Sequence, residues 1–178
     1  VLSICNKEKQ SVVVHGGLTG LVYGTRTLPD QLILSLERMN EINEVDVVGR
    51  TMTCQSGATL QNIQEEAEEQ GMIFPLDLGA RGSCSIGGNI STNAGGNRVI
   101  RFGMTRDSVL GIEAVTPDGT ILSSMNRMIK NNAGYDLKQM FIGTEGTLGV
   151  VTKCVLRLRE APKSQNTALV GIEDFTSI

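Results

Sequence analysis

"DLGARGSCSIGGNISTNAGGN", residues 77–97, holds six glycines among serines, asparagines and a single threonine. A stretch with so little side-chain bulk either floats as a linker or lets another molecule touch the main chain. Glycine allows φ > 0 and close approach to peptide N–H groups, at roughly 0.5–1 kcal/mol per site in an ordinary helix or strand. Ile86 and Ile90, with Cys84 and Ala94, supply an apolar content that a Gly/Ser linker lacks. The stretch therefore reads as a wrapping loop. Asn89, Thr92 and Asn93 are spaced to share a face if residues 86–93 are helical. A helix start at that point would favour a phosphate.

Two further glycine clusters stand far from it in sequence. "HGGLTG", residues 15–20, follows the β-branched run "SVVV" and reads as a buried strand entering a tight loop. Successive N–H groups in such a turn can form an anion nest, and Thr19 adds a hydroxyl. "GTEGTLGVV", residues 143–151, is a glycine turn feeding a strand that could lie against a flat ring. No G-x-x-x-x-G-K-[ST] is present, and no G-x-G-x-x-G follows a strand inside a βαβ unit, so neither a P-loop nor a Rossmann site is expected. Two separate loops suited to anions fit a pyrophosphate within an extended cofactor.

Between the clusters, strands dominate. "VLSICNKEKQ" reads as the tail of a helix with Leu2 and Cys5 on one face. "QLILSLERMNEI" leans to strand, and "EVDVVGRTMTCQSG" to a hairpin turning at Gly49 and Arg50. The clearest helix is "ATLQNIQEEAEEQG", capped by Thr59, with Leu60, Ile63 and Ala67 inward, a solvated acidic face and a stop at Gly71. "SVLGIEAVTPDGTILSS" gives two strands about a Pro-Asp-Gly turn. "YDLKQMFIG" is a short helix. "LGVVTKCVLRLREAP" is a strand of alternating parity, and "ALVGIEDF" begins another. The pattern is α+β in two consecutive lobes, residues 1–56 and 57–178.

The 178 residues carry 40% hydrophobic and 20% charged side chains and a formal net charge of −3, a globular balance with no general attraction for nucleic acid. No apolar run is long enough to span a bilayer, so no integral membrane segment is expected. The four cysteines, 5, 54, 84 and 154, have no metal-ligand spacing and fit free buried thiols in a reducing, cytoplasmic setting. The chain has one histidine, His15, and no tryptophan. Such sparse titratable chemistry points to a cofactor that carries the reaction.

"GGLTGLVYG", "FPLDLGARGSCSIGGNISTNAGG", "VLGIEAVTPDGTIL" and "NNAGYDLKQMFIGTEGTLGVVT" together closely resemble the FAD-binding domain of the vanillyl-alcohol oxidase-type flavoproteins. The nearest branch is that of the D-2-hydroxyacid dehydrogenases, which takes in D-2-hydroxyglutarate dehydrogenase, D-lactate dehydrogenase and the glycolate oxidase D subunit. The resemblance implies two α+β subdomains with FAD between them. It implies that Gly16, Gly17, Leu18, Thr19 and Gly20, preceded by His15, hold the pyrophosphate by backbone N–H groups. Asp77, Gly82, Ser83, Gly87, Gly88, Asn89, Thr92 and Asn93 would hold the ribityl chain, pyrophosphate and ring edge, with Gly95 and Gly96 closing the turn. Glu145, Gly149 and Val150 would sit by the adenine–ribose end or the flavin wall.

Some covalent members carry a flavin-linking His after the glycine pair. Here that place is Leu18, so noncovalent FAD is implied. His15 is expected to orient its loop or face solvent. Tyr23 stands where glycine is common in the family. The N-terminal strand of the family and its later substrate domain have no counterpart in the sequence. No catalytic acid or base and no metal ligand is therefore nominated. The implied activity is oxidation of the CH–OH group of a small D-2-hydroxyacid, with hydride passing to flavin N5 and the electron acceptor open. The alternatives are an FAD-dependent sugar or alditol oxidase and a fragment that only binds FAD.

Overall fold

The computed structural model describes residues 1–177. In chain order its elements are α1 (Leu2–Lys7), β1 (Val12–His15), β2 (Leu32–Ser35), β3 (Ile42–Asp46), β4 (Thr51–Gln55), α2 (Leu60–Glu69), β5 (Met72–Ile73), α3 (Ile86–Ser91), α4 (Val99–Phe102), β6 (Val109–Val115), β7 (Ile121–Ser124), α5 (Lys138–Phe141), β8 (Val150–Arg157) and β9 (Arg159–Glu160).

Local chemistry sets most of these limits. Thr59 Oγ1 accepts from Asn62 N at 3.2 Å and starts α2, and Gly71, at φ +72°, ends it. Leu60, Ile63 and Ala67 are fully buried along its inner face. Burial of each of the larger two is worth about 1.5–3 kcal/mol. The β3–β4 hairpin turns where Asp46 Oδ1 accepts from Gly49 N at 2.8 Å and Arg50 takes φ 53°. In the β6–β7 turn, Asp118 accepts from Thr120 N at 3.0 Å and from both neighbouring threonine hydroxyls, with Gly119 at φ +91°.

Five antiparallel strands form the main sheet in the order β3-β4-β8-β6-β7, while β1 and β2 form a separate parallel pair. The break between these two sheets falls between β2 and β3. β4 pairs along its whole length with β8, so residues 51–55 share a sheet with strands from later in the chain. One face of the main sheet, with Met52, Cys54, Ile112, Ala114, Cys154 and Leu156, joins Leu60 and Ile63 of α2 and Ile86 and Ile90 of α3 in one apolar cluster.

The other face carries a strap. Glu44, Thr53, Val155 and Gly111 lie opposite one another in a row across β3, β4, β8 and β6. The chain leaving β7 crosses this row. A Cβ on Gly111 would lie 2.6 Å from Asn126 N, so only glycine admits the crossing. Arg127 then grips Glu44 at the opposite edge with two hydrogen bonds, 2.7 and 2.5 Å.

The strap accounts for one departure from the sequence reading. β8 does not alternate: Val150, Val151, Cys154, Val155 and Leu156 are all buried. A central strand covered on both faces loses the period of 2. β1 is half-buried rather than buried. The strand expected in "ALVGIEDF" does not form. Leu169, Val170 and Phe175 are exposed, the segment pairs with no strand, and a short 3₁₀ turn spans Phe175–Ser177. Among the described residues no helix is long and apolar enough to cross a membrane.

Candidate cofactor site

The three glycine clusters meet. A Cβ on Gly17 would overlap Ser83 O and lie 2.7 Å from Cys84 Cα, and one on Gly16 would overlap Ser85 Oγ. The loop after β1 therefore lies flat on the entry to α3. From the third cluster, Gly143 N donates to Ile90 O at 3.1 Å and Glu145 N to Ser91 O at 2.8 Å. Glu145 Oε2 lies against Gly24 of the first loop, and Gly146 faces Val14 of β1. The second cluster thus touches the other two, and the third meets the residues that flank the first, Val14 and Gly24.

The positions of the backbone donors decide what this junction can hold. The N–H groups of Gly17, Leu18, Thr19 and Gly20 have no acceptor among the described residues. Leu18 is held at φ 55°, a left-handed conformation that non-glycine residues adopt rarely and that gathers at ligand sites. Residues 16–24 contain no acidic side chain. An exposed loop with four open donors and no nearby carboxylate until Glu145 fits a diphosphate. His15 Nε2 lies 3.0 Å from Thr25 O and 3.1 Å from Thr27 Oγ1, so its ring ties the loop back on itself.

The glycine-rich stretch behaves differently from its sequence reading. The N–H groups at the start of α3 are already used: Ile86 N donates to Ala58 O at 2.9 Å, Gly87 N to Ser56 O at 2.7 Å and Gly88 N to Ser85 Oγ at 3.3 Å. Gly87 is small because Ser56 Cβ would sit 2.6 Å from its Cβ. Asn89, Thr92 and Asn93 do not share a face, because α3 ends at Ser91. Thr92 Oγ1 donates back to Gly88 O at 2.9 Å. Asn93, at φ 46°, turns away and accepts from Arg106 N at 3.0 Å. Asn89 is 5% exposed, and its Oδ1 has no partner among the described residues, an acceptor left open beside the junction. Burial pushes the Cys84 thiol up, partly offset by its hydrogen bond with Asn89.

The remaining predicted residues lie around this centre. Gly82 borders Gln61 of α2. Asp77 joins the far end of the stretch: a Cβ on Gly96 would overlap its carbonyl, and its carboxylate faces Arg98 Nε at 3.6 Å. Gly95 packs on Met104. Gly149 and Val150 line a cavity of about 400 Å³ with Val12, Val14, Val115 and Asn6. Sequence reasoning missed Ser56, Ser85 and Arg106. Ser85 was legible as an N-cap before the Ile-Gly-Gly turn. Ser56 and Arg106 act through contacts 31 and 13 residues distant that no local pattern marks.

A sequence-family profile described as "FAD binding domain" matches residues 1–124. The chain belongs to the FAD binding domain family. FAD is thus the cofactor of this domain. A D-2-hydroxyglutarate dehydrogenase of Danio rerio, mitochondrial by name, is 46% identical over 178 residues, which is 100% of this chain and 33% of that protein. One from Xanthomonas citri pv. viticola is 46% identical over 175 residues, 98% of this chain and 37% of the relative. The chain spans about a third of the length of these curated relatives. A solved alkyldihydroxyacetonephosphate synthase superposes with a TM-score of 0.79 at 24% identity, covering 92% of this chain and 30% of that one. That likeness shows the fold, the vanillyl-alcohol oxidase-type FAD-binding fold expected from the motifs.

Proposed function

We propose that this FAD-binding domain is the cofactor-holding part of a flavin-dependent D-2-hydroxyacid dehydrogenase, with D-2-hydroxyglutarate as the first substrate to try and D-lactate or glycolate as alternatives. The observation that carries the reading is the run of four open N–H donors at residues 17–20, laid against α3 and backed by the third cluster. The similarity to the D-2-hydroxyglutarate dehydrogenases along the whole chain supports the substrate class.

When bound, FAD supplies the hydride acceptor for oxidation of the substrate CH–OH group. The protein's part is to bind and orient it. Residues 17–20 hold the pyrophosphate by N–H donation. Asn89 Oδ1 offers an acceptor to the ribityl side. The cavity at Gly149 and Val150, walled by Val12, Val14 and Val115, would take the adenine end, and the Glu145 carboxylate would accept from a ribose hydroxyl. The cofactor is held noncovalently: Leu18 has no nucleophile, Cys84 is buried, and His15 is engaged with Thr25 and Thr27. Four free buried thiols support a reducing compartment, the cytoplasm in this reading.

The hydroxyl proton needs a base, a service typically worth about 10²–10⁴-fold, and none is assigned among the described residues. The chain by itself is therefore expected to bind FAD and yet reduce a dye acceptor no faster than free FAD when offered D-2-hydroxyglutarate, D-lactate or glycolate. Dye reduction well above the free-FAD control, lost when the residue 17–20 loop is blocked, would show instead that these 178 residues suffice for catalysis.

A further inference from the structure

We propose that Cys54 and Cys154 form a redox pair that closes to a cross-strand disulfide beneath the cofactor site. The two residues stand directly opposite each other on β4 and β8. Ser56 N donates to Thr152 O at 2.9 Å two residues further on, and Leu158 N to Arg50 O at 2.8 Å four residues back. These bonds make the Cys54–Cys154 site a hydrogen-bonded antiparallel pair, whose Cα atoms lie about 5.5 Å apart. That spacing falls inside the window of about 4.4–6.8 Å that a disulfide accepts.

The side chains already meet, with the two Sγ atoms 3.5 Å apart and both residues fully buried. Rotation about the two side-chain bonds has to close the gap to about 2.05 Å, with no change in strand register. Neither remaining cysteine competes. Cys84 lies against Asn89 at the entry to α3, and Cys5 lies on α1.

The hydrogen bond with Cys54, and after it burial, push the Cys154 thiol well up, so it is protonated at neutral pH. The thiolate is the reactive form, so the resting pair is a dithiol that reacts only as the sheet breathes. With hydrogen peroxide as oxidant the step balances. One thiolate attacks a peroxide oxygen and becomes a sulfenic acid, displacing hydroxide, which takes up the proton the thiol had released and leaves as water. The second thiol attacks that sulfur and releases a second water. Overall the pair loses two protons and two electrons as peroxide becomes two waters. A dithiol reductant reverses the bond.

The location gives the bond a consequence. Cys54 is two residues before Ser56, whose carbonyl holds Gly87 N, and β8 is the strand on which α3 packs. A bond joining residues 100 apart in sequence restricts the unfolded chain strongly and fastens the floor of α3.

The test treats the folded 178-residue chain with a modest excess of peroxide, quenches it with an alkylating agent and maps the peptides without reduction. The expected result is a mass loss of about 2 Da before alkylation, the two thiol hydrogens, a single Cys54–Cys154 linkage, Cys5 and Cys84 recovered unoxidised and outside any linkage, and a melting temperature at least about 5 °C above the reduced form. Dithiothreitol should restore both mass and melting temperature. Four free thiols after treatment, a linkage through Cys5 or Cys84, or sulfinic acid at Cys54 or Cys154 without a crosslink would overturn the proposal. Because the readout is made on the unaltered protein, it does not depend on a cysteine variant folding.

Discussion

Gly17 and Cys84 are so close that no side chain fits between them: a Cβ on Gly17 would stand 2.7 Å from Cys84 Cα. This contact joins the loop after β1 to the entry of α3. It changes what a substitution there reports. Glycine at 17 serves packing between two loops first, and the open N–H groups beside it follow from how that packing sets the loop.

Gly17→Val is accordingly expected to lose FAD binding and fold stability together. The overlap with Ser83 and Cys84 should cost about 1–3 kcal/mol, the usual range for overpacking. Urea unfolding monitored by circular dichroism, beside a flavin titration, checks both. A variant with unchanged urea midpoint and unchanged affinity would show that the contact is loose.

Tyr23 is held at φ 59° and the residue is 81% exposed, so its conformation is strained without compensating burial. Tyr23→Gly should relieve about 1 kcal/mol of left-handed strain, less the added entropy of the unfolded chain. The melting temperature is expected to hold or rise, whereas Tyr23→Val should lower it. A fall with glycine greater than the fall with valine would mean that the ring makes a contact of its own.

Much of this was legible in the sequence, for identifiable reasons. α2 declares itself by a capping Thr59, an apolar stripe and a closing Gly71, all within thirteen residues. The β6–β7 and β3–β4 turns are written in Asp118-Gly119 and Gly49-Arg50. The clusters at residues 15–20, 82–96 and 143–151 were legible as a set, and the structure brings them together. What stayed hidden depends on distant partners. Gly87 reads as a ligand glycine, but its N–H belongs to Ser56. The parity of β8 fails because a strap anchored at Arg127 covers Val155. The tail at Leu169 and Val170 has strand chemistry but no strand beside it.

The strap is expected to loosen in acid. Arg127 beside Glu44, by hydrogen bond first and charge second, holds the carboxyl below its ordinary value of 4.5. A depressed folded-state pKa contributes stability that is present above the unfolded value and lost as pH falls through the folded one. Amide exchange at residues 125–127 should therefore quicken, relative to β8, as pH drops below about 4.5. Arg127→Met should abolish the difference between neutral and acid conditions. Identical strap protection at pH 7 and pH 3 in the unaltered chain would contradict this.

Thr59→Ala removes the cap of α2 and should cost about 1 kcal/mol of stability. FAD affinity should stay unchanged, because α2 is joined to the glycine-rich stretch by backbone bonds, Leu60 N to Cys84 O at 3.1 Å and Gln61 N to Arg81 O at 2.9 Å, that do not use the Thr59 side chain. Chemical denaturation and flavin titration on the same preparation measure the two. A loss of affinity without a loss of stability would place α2 in the cofactor site itself.

Gly20 offers the cleanest probe of the cofactor loop, since a Cβ there meets nothing within 4 Å and the fold has no stake in its absence. The direct measurement is a calorimetric titration of FAD into the 178-residue chain and into Gly20→Val, with melting curves of both recorded without cofactor. The account predicts one FAD per chain, matching melting curves, and affinity in the variant weakened by at least about tenfold, or 1.4 kcal/mol. Equal affinity in the two chains, or no FAD binding by the unaltered one, would contradict the claim that residues 17–20 hold the cofactor.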